Sequence, residues 1–326
     1  MLFTEYENDA SALEHRYYQM MVTTSTENLP FLTDELTVDQ CNEVDRWCIA
    51  EEPLRLRALR ALATQPDAEI ATYQHKVMAK YGAEEVFHRD GWSLMPTQWL
   101  NDNVINYVTR YIRDEHFDEN DSAYIIRSHF FTALYNNNIS KPDFSRVKSW
   151  SKHIFAERTY DKMKTLVFFR NTSLLHWSCY VIFLDFKTIQ CFDSMGTNDE
   201  DEKIMGHLYK WLNIEVNFLG IELNRIEWCF NKATGRGIPC QPNGFDCGMS
   251  MLLFGVCTAK RLPLSLITQE LVDAARKRLI SHFIEKERES ANPEVVEVNS
   301  SPSPAGKNSN PEVITVKESP SPTGRI

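Results

Sequence analysis

The sequence lacks several features that would place it in a common class of protein. No apolar run approaches the length needed to span a bilayer, and no basic-then-apolar segment opens the chain. A net charge of −10 over 326 residues argues against a general nucleic-acid binder, which is normally basic. We therefore expect no membrane and no nucleic acid among the partners of this protein.

Paired cysteines are also missing. None of the eight cysteines belongs to a Cys-x-x-Cys pair, so the sequence gives little support for a zinc site. Scattered cysteines without a signal peptide are typical of free thiols in a reducing compartment. What the chain does have is a large supply of core-forming side chains, including 18 Phe, 12 Tyr and 7 Trp.

Apolar patterning predicts helices around a sheet. Three runs rich in β-branched and aromatic residues, 165–169, 177–186 and 188–192, are apolar on both faces, which is typical of central strands covered by helices. Further expectations are a strand over 221–228 and helices over 145–155, 199–212 and 271–284. The first 74 residues are predicted to be a helical extension, with a leucine stripe from Leu54 to Leu62.

The composition changes abruptly after Arg288. Ser, Pro, Asn, Glu and Val dominate and aromatics are missing, so residues 289–326 are predicted to be a disordered tail. The tail repeats with a period of 18: Asn292–Val298 and Asn310–Val316 are each followed by a Ser-Pro-Ser-Pro segment. Each copy isolates a short β-prone run that can add a strand to the sheet edge of a partner.

A polar loop, Cys240–Gly248, leads directly into the apolar run Met249–Val256. The Pro-Asn-Gly sequence inside the loop favours tight turns, and the apolar run predicts a buried helix. Cys247 therefore stands at a helix N-terminus, where the helix dipole favours the reactive thiolate. Taken alone, such a cysteine is more often a buried structural residue.

A nucleophilic cysteine needs a base, a group that orients the base, and donors for the oxyanion. His176 precedes one predicted strand and Asp193 ends the next, so the two are candidates for base and orienting group. A plain hairpin about 185–188 would place Asp193 nearer Tyr180 than His176, and we expect a bulge or strong twist to close the gap. The side-chain N–H of Gln241 can serve a developing oxyanion.

These parts together resemble one family. The motifs that carry the resemblance are Trp99-Leu100-Asn101-Asp102, His176-Trp177, Asp193-Ser194 and Gln241–Gly248. In this order they are similar to the Ulp/SENP cysteine proteases of peptidase family C48, clan CE. Members of that family process and deconjugate SUMO and related ubiquitin-like proteins. The resemblance covers residues 75–288.

The resemblance implies a fold and a domain organisation. The fold class is α+β, with a papain-like core in the circularly rearranged order His, Asp, Cys, and a central mixed sheet flanked by helices. The expected domains are a helical extension over 1–74, the protease domain over 75–288 and the disordered tail over 289–326.

The resemblance also implies residue roles. Cys247 is expected to be the nucleophile, with its backbone N–H as one oxyanion donor. His176 acts as general base and acid, Asp193 orients it, and Gln241 supplies the side-chain oxyanion donor. No cofactor and no metal are required.

Substrate binding is assigned to Trp99, Trp177 and Asp102. The two indoles would roof a tunnel for the Gly-Gly end of the substrate, which only a residue without a Cβ can thread. The implied reaction is cleavage after the C-terminal Gly-Gly of SUMO, both to remove SUMO from lysines and to mature its precursor.

The core motifs do not choose between modifiers, but the tail favours SUMO. Both apolar runs resemble SUMO-interacting motifs, whose residues here are Val295, Val296, Val298, Val313, Ile314 and Val316. The alternatives are a NEDD8-specific protease of the same family, an acyltransferase using the same Cys/His pair, and a non-enzymatic SUMO-binding adaptor. We expect a monomer that works in the nucleus, the cytoplasm or both.

Overall fold

The computed structural model of the chain covers its central part. It describes residues 31–32, 34–117, 122–136, 138–157, 160–196, 199–232 and 238–291. The sequence predictions for the first 30 residues and for the two tail repeats lie outside the described residues.

Among the described residues, helices come first and last, and strands alternate with further helices between them. The helices are α1 (Val38–Ala63), α2 (Ala68–Gln74), α3 (His88–Gly91), α4 (Asp102–His116), α5 (His129–Tyr135), α6 (Lys152–Glu157), α7 (Asp201–Asn217), α8 (Cys247–Ala259) and α9 (Gln269–Ala291). The strands are β1 (Val77–Tyr81), β2 (Glu84–Phe87), β3 (Ala123–Ile126), β4 (Thr165–Thr172), β5 (His176–Phe183), β6 (Thr188–Phe192) and β7 (Cys229–Lys232).

A mixed five-stranded sheet forms the centre of the molecule, in the order β3-β4-β5-β6-β7. The outer pairs β3/β4 and β6/β7 are parallel, and the inner pairs β4/β5 and β5/β6 are antiparallel. Strands β1 and β2 make a separate antiparallel hairpin. The predicted central mixed sheet is thus confirmed, and so are its three apolar strands.

Successive residues of the central strands point into two different cores, because side chains alternate across a strand. Val181 and its alternates pack with α4, α8 and α9 on one face of the sheet. Ile182 and its alternates pack with α5 and α7 on the other face. Burial of both faces explains why these strands are continuous apolar runs in the sequence.

Two predicted elements were wrong, and in both places polar contacts of the backbone interrupt the apolar pattern. Residues 221–228 do not form a strand; β7 begins later, after a 3-10 turn that starts where the Asn224 side chain accepts from the backbone N–H of Ile226. Residues 145–155 do not form one helix, because Ser149 has a φ of 73° and its N–H bonds to the buried carboxylate of Glu215 at 3.1 Å.

Helix α1 lies against α9, although the two are far apart in sequence. Gln40 donates to Glu285 at 3.0 Å, and Arg288 pairs with Glu43. Within the predicted leucine stripe, Leu56, Leu59 and Leu62 are exposed. No helix in the described part of the chain combines the length and the apolar character that a membrane span requires.

Candidate active site

The loop before α8 fixes the position of Cys247. The Asn243 side-chain oxygen accepts from the backbone N–H groups of Phe245 and Asp246, at 3.1 and 3.0 Å, which closes a tight turn at the helix start. Every residue of α8 is buried, and Cys247 is 1% exposed. The thiol therefore stands at the N-terminus of a helix that the core holds rigidly.

A buried carboxylate immediately precedes that thiol. Asp246 accepts from Asn243 at 2.7 Å, from Gln269 at 2.9 Å and from Arg276 at 2.7 Å. Burial opposes ionisation of Asp246, but these three donors outweigh it and lower the pKa of the carboxyl. The loop is thus tied to α9 by a buried ion pair.

His176 and Asp193 are in contact. The imidazole Nε2 lies 2.8 and 2.7 Å from the two carboxylate oxygens of Asp193. Asp193 also accepts from the backbone N–H of Met195 at 2.8 Å, which fixes the carboxylate at the end of β6. The predicted base and its predicted orienting group are therefore brought together.

The expected bulge is not needed, because the hairpin is longer than a plain two-residue turn. Phe183 pairs with Thr188 and Cys179 with Phe192, in an unbroken register. Extending this register by one residue places Asp193 across from Ser178, two residues from His176 rather than four. A diagonal contact over that spacing is within reach of long side chains.

The environment of His176 favours its protonated form. Burial lowers the affinity of the imidazole for a proton, but the hydrogen bond with Asp193 and the nearby Cys247 thiol outweigh it and raise the pKa to about 9. The other ring nitrogen, Nδ1, is buried without a hydrogen-bond partner among the described residues. It is the nitrogen left to exchange a proton with the thiol or with a leaving amine.

The Gln241 amide is held on both sides. Its Oε1 accepts from the Ser194 hydroxyl at 2.6 Å, and its Nε2 donates to the Asn243 carbonyl at 2.5 Å. A primary amide has two N–H donors, and the bond to Asn243 uses only one of them. This remaining donor is what an oxyanion near Cys247 would require.

The two predicted tunnel tryptophans differ in their surroundings. Trp99 is 48% exposed, and its indole N–H donates to the Gly244 carbonyl at 2.7 Å, across the loop that carries the cysteine. Trp177 is 3% exposed, and its indole N–H donates to the Leu100 carbonyl at 2.8 Å. Both indole N–H groups are thus hydrogen-bonded to backbone carbonyls.

Asp102 begins α4 and pairs with His129 at 3.4 Å, with both side chains about half exposed. The hydrogen bond with His129 outweighs partial burial and lowers the pKa of the carboxyl. The predicted SUMO-interacting residues of the tail lie outside the described residues.

Sequence reasoning gave no role to two of the residues in these contacts. Ser194 was part of a motif, but nothing in the sequence pointed to its bond with Gln241. Arg276 lies on the charged α9, and its spacing gives no sign that it is buried beside Asp246. Among the described residues, no group of three or more His, Cys, Asp or Glu side chains is placed to hold a metal ion.

Comparison with protein families gives a match over more than half of the chain. A family model described as "Ulp1 protease family, C-terminal catalytic domain" matches residues 98–288. This range contains Trp99, His176, Asp193 and Cys247, which are the residues assembled above.

Curated relatives are similar at lower identity. Sentrin-specific protease 2 of Pongo abelii is 25% identical over 237 residues, which cover 72% of this chain and 37% of the relative. Ubiquitin-like-specific protease 1 of Saccharomyces cerevisiae is 29% identical over 204 residues, which cover 61% of this chain and 29% of the relative. The chain therefore spans about a third of the length of these relatives.

Solved structures show the same fold. A structure described as SUMO protease Ulp1 with the catalytic cysteine oxidised to a sulfenic acid matches with a TM-score of 0.59 at 21% identity, covering 78% of this chain and 97% of that one. The C-terminal Ulp1 protease domain in complex with Smt3, the yeast ortholog of SUMO, matches with a TM-score of 0.57 at 21% identity, covering 78% and 98%. The α+β fold of the Ulp/SENP type predicted from the sequence is confirmed.

Proposed function

Because the chain belongs to the Ulp1 protease family, we propose that it is a cysteine protease that cleaves after the C-terminal Gly-Gly of SUMO. The reaction is hydrolysis of an isopeptide bond to a lysine, or of a peptide bond in the SUMO precursor. The observation that carries the proposal is the contact of His176 with Asp193 beside Cys247, since it supplies base, orienting group and nucleophile together.

The chemistry follows from these contacts. The Cys247 thiolate attacks the carbonyl carbon of the terminal glycine, and the oxyanion accepts hydrogen bonds from Gln241 and from the Cys247 backbone N–H. The His176 imidazolium gives its proton to the leaving amine, and a thioester forms. His176 then removes a proton from water, which attacks the thioester and releases the thiolate.

Substrate selection fits a diglycine tail. The backbone at Gly248 packs closely against Leu100 and Trp177. A Cβ built on Gly248 would lie 2.8 Å from the Leu100 Cβ and 3.3 Å from Trp177. We propose that the two indoles enclose a chain without side chains, with Trp99 bonded to the loop that carries the thiol. We assign Trp99, Trp177 and Asp102 to binding of the modifier's C-terminal segment.

The modifier we propose is SUMO rather than NEDD8. The names of the similar proteases, sentrin-specific and ubiquitin-like-specific, support a substrate of this class. The two tail runs around Val295 and Val313 support SUMO, because each could add a strand to the edge of the SUMO sheet.

We further propose that residues 75–288 form the protease domain, between an extension and a SUMO-binding tail. We also propose that the protein works as a monomer in the nucleus, the cytoplasm or both.

A panel of active-site probes tests the proposal. Purified full-length protein is incubated with SUMO, NEDD8 and ubiquitin, each carrying a C-terminal vinyl sulfone. We expect a covalent adduct with SUMO on Cys247, located by peptide mass spectrometry and missing from the Cys247→Ala variant. Labelling by NEDD8 alone would make the proposed modifier wrong. Labelling by none of the three would make the proposed protease activity wrong.

The same protein preparation addresses the non-hydrolytic alternatives. Release of free SUMO from a SUMO–peptide fusion, with loss of release in Cys247→Ala, is expected of a protease. A SUMO-binding adaptor would bind the fusion and leave it intact. An acyltransferase would instead form a Cys247 adduct with acetyl-CoA.

A further inference from the structure

We propose that Ser194 is a positioning residue that fixes the amide plane of Gln241, so that a single N–H of that amide faces the oxyanion. This inference rests on the function proposed above, because it concerns how the oxyanion donor is held. Ser194 is 2% exposed and its hydroxyl donates to the Gln241 side chain, so we place its effect on the reaction through Gln241.

Three hydrogen bonds connect these residues. The Ser194 hydroxyl donates to Gln241 Oε1 at 2.6 Å, and the backbone N–H of Gln241 donates to the Ser194 carbonyl at 3.0 Å. On its other side, Gln241 Nε2 donates to the Asn243 carbonyl at 2.5 Å. The side chain is thus attached at its oxygen and at its nitrogen, and the backbone of Gln241 is attached beside them.

The two side-chain contacts do different things. A glutamine amide can turn by 180° and exchange its oxygen for its nitrogen with little change in shape. That turn would set Oε1 against the carbonyl oxygen of Asn243, and two acceptors do not bond. The carbonyl therefore selects the orientation, while the Ser194 hydroxyl holds the oxygen end and stops the plane from swinging about its nitrogen contact.

The contact between Ser194 and Gln241 lies beside the contact between Asp193 and His176 in the sequence. Ser194 directly follows Asp193, whose carboxylate holds His176 at the end of β6. Two consecutive residues therefore serve the two halves of the reaction: Asp193 orients the base, and Ser194 orients the oxyanion donor. Both depend on the same strand end, which the buried β6 holds in place.

A double-mutant cycle tests the inference in the full-length protein. The variants are Ser194→Ala, Gln241→Ala and both together, assayed on SUMO with a C-terminal fluorogenic amide. We expect Ser194→Ala to lower kcat about tenfold with little change in KM, because the lost bond leaves the Gln241 oxygen unpaired and the donor misaligned. In the Gln241→Ala background the same change is expected to have no further effect.

Two controls separate positioning from general damage. Ser194→Thr keeps the hydroxyl, so we expect it to restore most of kcat. Ser281→Ala removes another buried hydroxyl, bonded to Glu285 at 3.2 Å on α9, and is expected to leave kcat unchanged. A Ser194→Ala effect that persists in full without Gln241, or a Ser194→Ala kcat equal to the parent's, would overturn the inference.

A spectroscopic measurement decides the matter independently of activity. In protein labelled with ¹⁵N-glutamine, the Gln241 side-chain NH₂ signals are identified by their loss in Gln241→Ala. We expect both signals to move in Ser194→Ala, where only the contact with the Asn243 carbonyl remains; signals that stay in place would contradict the inference. If the parent cleaves no Gly-Gly substrate, the proposed function is wrong, and this measurement still tests Ser194.

Discussion

The Arg276 guanidinium donates to the buried Asp246 carboxylate at 2.7 Å, one residue before Cys247. Arg276 also donates to the carbonyls of Ser93 and Gln98, at 3.1 and 3.2 Å. One arginine of α9 thereby joins the start of α8 to the segment that leads into Trp99. The position of the thiol relative to the exposed indole depends on this side chain.

Arg276→Met is expected to destabilise the protein strongly. The side chains of Arg276 and Asp246 are 7% and 1% exposed, and removal of one partner leaves a buried charge unpaired, which costs about 3–5 kcal/mol. Urea unfolding measures the loss. Lys286→Met, which breaks a surface pair with Glu289, serves as control and is expected to cost about 0–1 kcal/mol.

The double variant Asp246→Asn with Arg276→Met sharpens this test. It leaves no lone charge in the core, so we expect it to be more stable than Arg276→Met alone. A single variant that loses under about 1 kcal/mol would show that the ion pair does not stabilise the loop.

The pH dependence of cleavage should follow His176. Since Asp193 and the Cys247 thiol raise its pKa to about 9 against the effect of burial, the imidazolium persists through neutral pH and is lost as pH rises through about 9. We expect kcat/KM to fall on the alkaline side with an apparent pKa near that value, which belongs to the coupled pair. In Asp193→Asn the fall is expected at lower pH and from a lower plateau. An alkaline limb that Asp193→Asn leaves in place would contradict this assignment.

Gly248 cannot accept a side chain without moving the nucleophile. A Cβ there would lie 2.8 Å from the Leu100 Cβ. The Leu100 Cβ is bonded directly to the backbone, so no side-chain rotation can move it away. We expect Gly248→Ala to lower kcat/KM about 100-fold, since small displacements of reacting groups are costly, and to lower stability by about 1–3 kcal/mol. Gly206→Ala in α7 is the matched control.

A Cβ at Gly206 meets its nearest neighbour, Phe230, only at 3.9 Å. Alanine in a helix interior is favoured over glycine by about 0.5–1 kcal/mol, so this control should gain stability and keep full activity. Equal kcat/KM for the two alanine variants would refute the role given to the Gly248 contact.

The sheet and the helix of the nucleophile could be predicted because each satisfies one simple pattern. Residues 165–169 and 188–192 are buried on both faces, and so appear as unbroken apolar runs. The helix that begins at Cys247 is buried on all sides, so it too appears in the sequence as an unbroken apolar run. Turn chemistry at Asn243 was equally visible, since its side chain closes the turn as its residue type suggests.

Spacing alone did not predict the remaining contacts, because they depend on register and long-range geometry. The pairing of His176 with Asp193 was expected only from the family resemblance. The hairpin after Phe183 carries two more residues than a plain turn, and this alone brings Asp193 across from Ser178 instead of Tyr180. Arg276 looks like an ordinary surface charge of a helix until α9 is placed beside Asp246. Polar capping at Asn224 overrode the apolar pattern that predicted a strand.

His88 links α1, α3 and α9 and should make stability depend on pH. Its Nε2 lies 3.1 Å from Glu287 and its Nδ1 3.5 Å from Glu51; burial opposes its charge, but these carboxylates raise its pKa to about 9. A raised pKa stabilises the fold fully below about pH 6.5, and the contribution is lost as pH rises through about 9.

We therefore expect the free energy of unfolding in urea to fall between pH 6.5 and 9.5, by about 3 kcal/mol from this group. His88→Gln should be less stable at pH 6.5 and show a shallower fall. His75→Gln, at an exposed site, serves as control. A fall that is equally steep in His88→Gln and in the parent would exclude His88 as its source.

The last prediction concerns the repeated tail. Replacement of Val295, Val296, Val313 and Ile314 by alanine removes the apolar side chains of both β-prone runs, while the protease domain is untouched. Because two linked motifs bind a chain of modifiers with a high effective concentration, we expect affinity for poly-SUMO to fall about 10- to 100-fold.

Alanine at residues 306–309, between the repeats, serves as the control and should leave binding unchanged. Cleavage of a single-SUMO precursor should stay within about twofold of the parent, because only the bound chain gains from avidity. Poly-SUMO affinity equal to the parent's, measured by surface plasmon resonance in a Cys247→Ala background that prevents cleavage, would show that these runs do not bind SUMO.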